Sequence, residues 1–148
     1  MVRMPMKIVE LTIDRYEEVI ALMKRTPGVS VREADSQEAT ARYLARNPGF
    51  SFIAEEEGKI IGCAMCGHDG RRGYLQHVLV DQLHRCRGIG HALVTRCLDR
   101  LDEAGIAKTH LDVYVTNDIA NDYWKKRGWT RRDDINRYSF LRSVNRNA

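Results

Sequence analysis

Apolar and polar residues along the chain repeat with two different periods, and the alternation of those periods predicts alternating strands and helices. Lys7–Leu11 reads as a first strand. Ile13, Tyr16, Val19, Ile20 and Met23 then recur at steps of three and four, which predicts a helix to about Arg25 with these residues inward. Thr26-Pro27-Gly28 breaks that pattern. A second helix is expected to open at Asp35, with Glu38 three positions on in a capping-box arrangement, and to close at Asn47-Pro48-Gly49. Phe50–Glu55 and Lys59–His68 read as a hairpin around Glu56-Glu57-Gly58. Asp69 to Gly73 is a turn into a strand at Tyr74–Val80. A helical period starts at Ile89 and continues through Leu93, Cys97 and Leu101, supported by Ala92 and Ala104. Leu111 to Val115 alternates like a strand, a helix follows Asn117, and Thr130–Arg132 and Tyr138–Leu141 are expected as closing strands. The predicted order is β-α-α-β-β-β-α-β-α-β in one domain spanning residues 1–148.

The stretch from Val78 to Leu93 carries the clearest chemistry. A β-branched apolar run stops at Asp81, and a basic, glycine-containing turn leads into the helix at Ile89. Helix N-termini present unpaired N–H groups and the positive end of the dipole, so this arrangement suits a phosphate. Gly88 and Gly90 allow close approach to the main chain, while Arg85 and Arg87 add forked cationic donors. The turn lacks the Gly-Lys-Ser/Thr of a nucleotide-triphosphate loop and the third glycine of a dinucleotide fingerprint. What remains is Arg-x-x-Gly-x-Gly at Arg85, Gly88 and Gly90. An ordinary helix start with glycines for tight packing would look the same locally.

A second motif follows about thirty residues later. Asn117, Ala120, Tyr123-Trp124 and Gly128-Trp129 fall at fixed spacing, with Gly128 placed to end a helix. Together the two motifs resemble the GCN5-related N-acetyltransferases, the GNAT family, over nearly the whole chain. The Gly-His-Asp-Gly-Arg-Arg-Gly run at 67–73 is similar to a bacterial subgroup of small, single-domain members. The resemblance implies an α/β (α+β) fold whose mixed central sheet has about six to seven strands, flanked by about four helices and splayed at the fourth and fifth strands. It also implies transfer of acetyl from acetyl-CoA to a primary amine of a small molecule or protein, by direct attack and without an acyl-enzyme. On this resemblance Val78, Leu79, Val80, Arg85, Cys86, Arg87, Gly88, Ile89, Gly90, His91, Asn117, Tyr123 and Trp124 would bind the cofactor. A backbone N–H of Leu79 or Val80 would receive the developing oxyanion.

The chain departs from the family where the leaving thiolate is usually protonated by a tyrosine. That position is Trp124, and an indole N–H is not an acid at neutral pH. Tyr123 lies about 100° away around the helix and does not replace it. Water, another tyrosine such as Tyr138, or departure as the thiolate itself remain open. Several family members carry a catalytic Glu on the fourth strand, but this chain has no Glu between Glu57 and Glu103. Tyr74, Gln76 and His77 occupy that strand, and His77 is the best titrating group for a general base. A half-buried strand histidine bonded to its neighbours is the other reading. Ser30, Arg32, Glu33 and Asp35, with Asp133 and Asp134, would line an acceptor pocket or simply form solvated loops. A non-catalytic acyl-CoA-binding module of the same fold is the alternative function.

Composition adds few constraints. The chain has 148 residues, 24 basic against 20 acidic, and a net charge of +4. That is a mixed surface without a nucleic-acid motif, so no nucleic-acid partner is expected. No apolar run reaches spanning length, no leader core is visible among Met1–Met6, and neither membrane nor metal binding is expected. Cys63 and Cys66 sit three apart within a strand, hence on opposite faces, and do not form a chelating pair. Cys86 differs in lying between two arginines beside a helix start. The expected setting is cytoplasmic, and homodimerisation, common in the family, is not legible.

Overall fold

A computed structural model describes residues 5–145 and 147–148 of the chain. Part of the N-terminal stretch in which no leader was expected lies outside the described residues. The chain forms two compact units, Met1–Leu111 and Asp112–Ala148.

The first unit contains β1 (Lys7–Glu10), α1 (Tyr16–Arg25), α2 (Gln37–Arg46), β2 (Phe52–Glu56), β3 (Lys59–His68), β4 (Gly73–Val80), α3 (Ile89–Glu103) and β5 (Thr109–His110). Short 3-10 turns at Ile13–Arg15, Glu33–Asp35 and Gln82–His84 join some of them. The sheet runs β1-β2-β3-β4-β5, antiparallel except for the parallel β4–β5 pair. β3 is a nearly continuous apolar run because both of its faces are covered. On one face Cys63, Met65, Ile53 and Leu79 pack with Val19, Ile20 and Met23 of α1. On the other, α3 approaches so closely that a Cβ on Gly62 would lie 3.2 Å from Leu93 and 3.3 Å from Ile89.

Several expectations are corrected in detail. The sheet has five strands among the described residues, not six or seven. Leu111 to Val115 alternates in sequence but is not a strand, and the β4–β5 ladder stops one residue earlier at His110. Val115 is 81% exposed and Tyr138 89% exposed, so neither stretch has the buried face that would stabilise its alternation. Thr130–Arg132 and Tyr138–Leu141 are likewise outside any strand. Ile13 is 36% exposed because the chain winds as a 3-10 turn there, which displaces it from the helical face. Leu22, unforeseen, is fully buried instead. Ser36, not Asp35, caps α2, its hydroxyl accepting from the Ala39 N–H at 3.2 Å.

Helix ends follow glycine. α3 closes with Gly105 in the left-handed region at φ 81°, its N–H bonded to Asp102 O and the Ile106 N–H to Leu101 O. This is a Schellman closure, completed by burial of Leu101 and Ile106. In the second unit, α4 (Asp118–Lys126) ends the same way at Gly128, φ 88°. No helix among the described residues is long and apolar enough to cross a membrane.

The end of α2 is pinned to β3 by Asn47, whose side-chain oxygen accepts the His68 N–H at 2.9 Å. A Cβ on Gly67 would lie 2.6 Å from the buried Asn47 amide nitrogen. Gly67→Ala is therefore expected to destabilise the fold by about 1–3 kcal/mol. Chemical denaturation reads this as a lowered midpoint at constant slope; an unchanged midpoint would show that the pin yields freely.

Candidate active site

β4 is where the strand pattern is interrupted. Leu79 pairs with Cys63 and Gln76 with Met65, so His77 and Val78 together face a single residue of β3. The extra residue is a β-bulge. His77 takes φ 48°, a left-handed backbone that costs a non-glycine residue of order 1–2 kcal/mol. The bulge also shifts the faces: Leu79 lies opposite Cys63 and Leu75 opposite Cys66, residues three apart on β3. Both leucines are buried, one on each side of the sheet, although a regular strand would put them on the same side.

Beyond the bulge the strand has an open edge. Pairing with β5 covers only Gly73 and Tyr74. The Asp81 N–H donates to Ile61 O at 2.8 Å, which makes Asp81 and Ile61 a hydrogen-bonded antiparallel pair. By alternation, Val80–Gly62 is non-hydrogen-bonded and Leu79–Cys63 hydrogen-bonded. The Val80 N–H is thus directed to the open edge and that of Leu79 toward β3. Of the two residues expected to offer an oxyanion donor, the register leaves Val80.

A short turn connects that edge to α3. Asp81 accepts the Leu83 N–H at 3.0 Å and is bonded by Arg25 of α1 at 3.0 Å. Cys86 and Gly88 both take left-handed backbones, φ 64° and 76°, and reverse the chain into the helix. Gly88 is the N-cap, with no side-chain cap bond, and the first turn holds no acidic residue. The N–H groups of Ile89, Gly90 and His91 therefore begin α3 without the usual carboxylate or hydroxyl. Arg85, Cys86, Arg87 and His91 are exposed around them. The side chain of Ile89 is buried at the sheet, leaving only its main chain for a ligand. Arg87 bonds Glu56 at 2.5 Å, so one of the two expected phosphate ligands is held by a carboxylate.

His77 itself is fixed from two sides. Its Nε2 lies 2.7 Å from Asp35 Oδ1, and its carbonyl accepts from the Cys63 thiol at 3.3 Å. Burial pushes the Cys63 thiol up to about 12, so it remains a neutral donor. Asp35, 8% exposed, also accepts the Arg32 N–H at 2.8 Å. The Asp35–His77 contact escaped the sequence, where Asp35 read as a helix cap and as one of several residues lining an acceptor pocket. Ser30, Arg32 and Glu33 are exposed on the same connection.

In the second unit, Asn117 caps α4 by accepting the Ala120 N–H at 3.1 Å, so its oxygen is engaged in the fold. Tyr123 carries Arg127 over its ring at 5.2 Å. Trp124 packs edge-on against Tyr123 and Trp129 at 5.0 and 5.1 Å. Asp133 and Asp134 pair with Arg131 and Arg132 at 3.0 and 2.9 Å, which offsets the acidic character expected of them.

An α/β unit that ends a bulged, open-edged strand at an uncapped, cation-flanked helix start has main-chain donors and a positive field that suit an extended phosphate-bearing ligand. The sequence profile of the Acetyltransferase (GNAT) family matches residues 16–129. The chain belongs to that family, whose co-substrate is acetyl-CoA, and is an acetyl-CoA-dependent acyltransferase. An acetyltransferase of Sodalis glossinidius is 31% identical over 122 residues, covering 82% of this chain and 85% of that one. The PaiA N-acetyltransferase of Thermoplasma acidophilum, solved with coenzyme A, superposes with a TM-score of 0.78 at 18% identity, over 88% of this chain and 92% of that one. An aminoglycoside acetyltransferase from an uncultured soil sample, solved with sisomicin, has a TM-score of 0.74 at 19% identity, over 93% and 97% of the two chains.

The Leu83 amide holds the Asp81 carboxyl below its usual range, with Arg25 adding to it and burial opposing. A value lowered in the folded state contributes stability above the unfolded pKa that is lost as pH falls through the folded one. Asp81→Asn should therefore cost about 1 kcal/mol at neutral pH and converge with the wild type below about pH 4. Thermal unfolding across pH checks this; a constant offset down to pH 2 would show that the carboxylate charge plays no part.

Proposed function

We propose that the enzyme transfers acetyl from acetyl-CoA to a primary amine by direct attack, in a cytoplasmic setting. The observation that carries this reading is the continuity of β4's open edge with the uncapped start of α3. Pantetheine would lie along the edge at Val78–Val80, and the pyrophosphate would meet the N–H groups of Ile89, Gly90 and His91 under the field of Arg85 and Arg87. The exposed Cys86 and Gly88 would border it. Asn117, Tyr123 and Trp124 are assigned to the cofactor by the family resemblance. Four free cysteines fit a reducing compartment.

In the reaction the neutral amine nitrogen attacks the thioester carbonyl and the C–S bond breaks. The carbonyl oxygen gains charge opposite the Val80 N–H. The ammonium proton passes to His77, and coenzyme A leaves as a thiolate, whose ordinary pKa near 8.5 makes departure without an acid tolerable. Acceptors worth screening follow from the sisomicin-bound neighbour and from a second structural neighbour, the ribosomal-protein-S18-alanine N-acetyltransferase of Escherichia coli: an aminoglycoside, an alanine-initiated peptide and, as a control, a simple alkylamine.

Calorimetric titration of acetyl-CoA into the wild type and Gly88→Glu is the decisive measurement. A Cβ at Gly88 meets nothing within 4 Å, so the mutation acts through its positive φ and its charge. Affinity is expected to fall by at least ~30-fold, equivalent to about 2 kcal/mol at a helix N-terminus. No binding to the folded wild type would sink the reading. His77→Ala should leave acetyl-CoA affinity intact and lower thiol release on the order of 100-fold at neutral pH; unchanged turnover would remove it as base.

A further inference from the structure

We infer that Asp35 is a positioning residue that sets the tautomer of His77, leaving the Nδ1 lone pair to take the proton of the acceptor amine. The inference rests on the acetyl-transfer reading above and names what makes its base competent.

Asp35 is buried and its carboxylate has two distinct engagements. Oδ2 accepts the Arg32 N–H at 2.8 Å, an obligate donor, and Oδ1 lies 2.7 Å from His77 Nε2. An ionised carboxylate only accepts, so the ring nitrogen facing it carries the hydrogen. The neutral imidazole then has Nε2–H toward Asp35 and a bare Nδ1. When Nδ1 gains a proton the ring becomes a cation beside the carboxylate, which stabilises it.

The main chain that carries this carboxylate is also held in place. The Asp35 N–H donates to Arg32 O at 2.9 Å, and the Tyr16 hydroxyl donates to Asp35 O at 2.6 Å. His77 is held from the other side by the Cys63 thiol on its carbonyl, at the left-handed bulge residue. Among the ionisable groups, Tyr16 of α1 bonds the Asp35 carbonyl, Cys63 of β3 bonds the His77 carbonyl, and Arg32 and Glu33 adjoin Asp35 along the chain. Burial raises Tyr16 and Cys63, so both are neutral near pH 7. A bond made only to hold the connection onto the sheet would not need a titrating ring on a strained residue two positions before Leu79.

Asp35→Asn separates the two roles. The amide oxygen must still accept from Arg32 N–H, which turns the NH2 toward Nε2 and forces the hydrogen onto Nδ1. The experiment is long-range 1H–15N spectroscopy of the histidine rings, with His77 assigned by His77→Gln, beside thiol release with an aminoglycoside and an alanine-initiated peptide. The wild type is expected to show the Nε2–H tautomer. Asp35→Asn should show Nδ1–H, bind acetyl-CoA as the wild type does, and release thiol on the order of 100-fold more slowly. Asp35→Glu, which keeps the carboxylate, should recover part of the rate and serves if the asparagine variant does not fold. A flipped tautomer with unchanged turnover, or Nδ1–H in the wild type, would overturn the inference while leaving acetyl transfer standing. A wild type that neither binds acetyl-CoA nor releases thiol would overturn acetyl transfer, and this inference with it.

Discussion

The single extra residue in β4 is the constraint on which the first unit depends. Inserting it at His77–Val78 moves Leu75 and Leu79 to opposite faces of the sheet, so one strand feeds both cores. It places His77 in a backbone that an unsupported histidine would leave, at a cost of order 1–2 kcal/mol. The support is visible: the Cys63 thiol on the carbonyl and Asp35 on the ring. A charge-assisted bond of this kind is worth about 1.5–3 kcal/mol, enough to offset the strain. Local backbone cost is thereby converted into a fixed direction for one imidazole.

The two ends of α3 show where satisfaction of the main chain was withheld. At its C-terminus Gly105 and Ile106 bond back to Asp102 and Leu101, and the apolar contact closes over them. At its N-terminus no side chain caps the helix and no acidic residue faces the dipole. A serine or aspartate at the N-cap would contribute only about a few tenths of a kcal/mol more than glycine, and the chain places Gly88 there at φ 76°. A helix that forgoes its cap, beside a strand that forgoes its edge partner, leaves donors from both elements for a bound molecule. Gly62 makes this possible by letting Leu93 and Ile89 settle against the sheet, 3.2 and 3.3 Å from where its Cβ would stand.

The turn into α3 and the end of α4 were legible in the sequence because they are written in backbone requirements. Gly88 and Gly128 stand where a left-handed residue is needed, and helical periodicity bounded α3 at Ile89 correctly. The contact between Asp35 and His77 was not, because it depends on which side chains meet across 42 residues. Nothing in the spacing of Asp35 and His77 announces their contact, and Asp35 mimicked a cap that Ser36 supplies. The bulge was equally hidden, since Tyr74 to Val80 alternates well enough to pass for a regular strand. The terminal strands failed for the converse reason. Tyr138–Leu141 has the pattern, but Tyr138 and Phe140 are exposed, and a pattern without a surface to bury against does not hold a strand.

The departure at Trp124 has a structural account that bears on the chemistry. In the closure of α4 the Trp129 N–H bonds Trp124 O and the Gly128 N–H bonds Lys125 O. Trp124 is therefore the residue whose side chain meets the one just past the helix end, and its ring packs edge-on against Trp129 at 5.1 Å. Such aromatic pairs are worth about 0.5–1.5 kcal/mol beyond their burial. A tyrosine there would supply an acid; a tryptophan supplies a larger apolar partner for the helix end and no acid. In the proposed reaction the thioester would tolerate this exchange, because a thiolate leaves without prior protonation. The amine does not share that latitude, since an ammonium cannot attack and the proton lost on attack must go to something. With no Glu between Glu57 and Glu103, the base proposed above is the strand histidine that the bulge, Cys63 and Asp35 together hold in place.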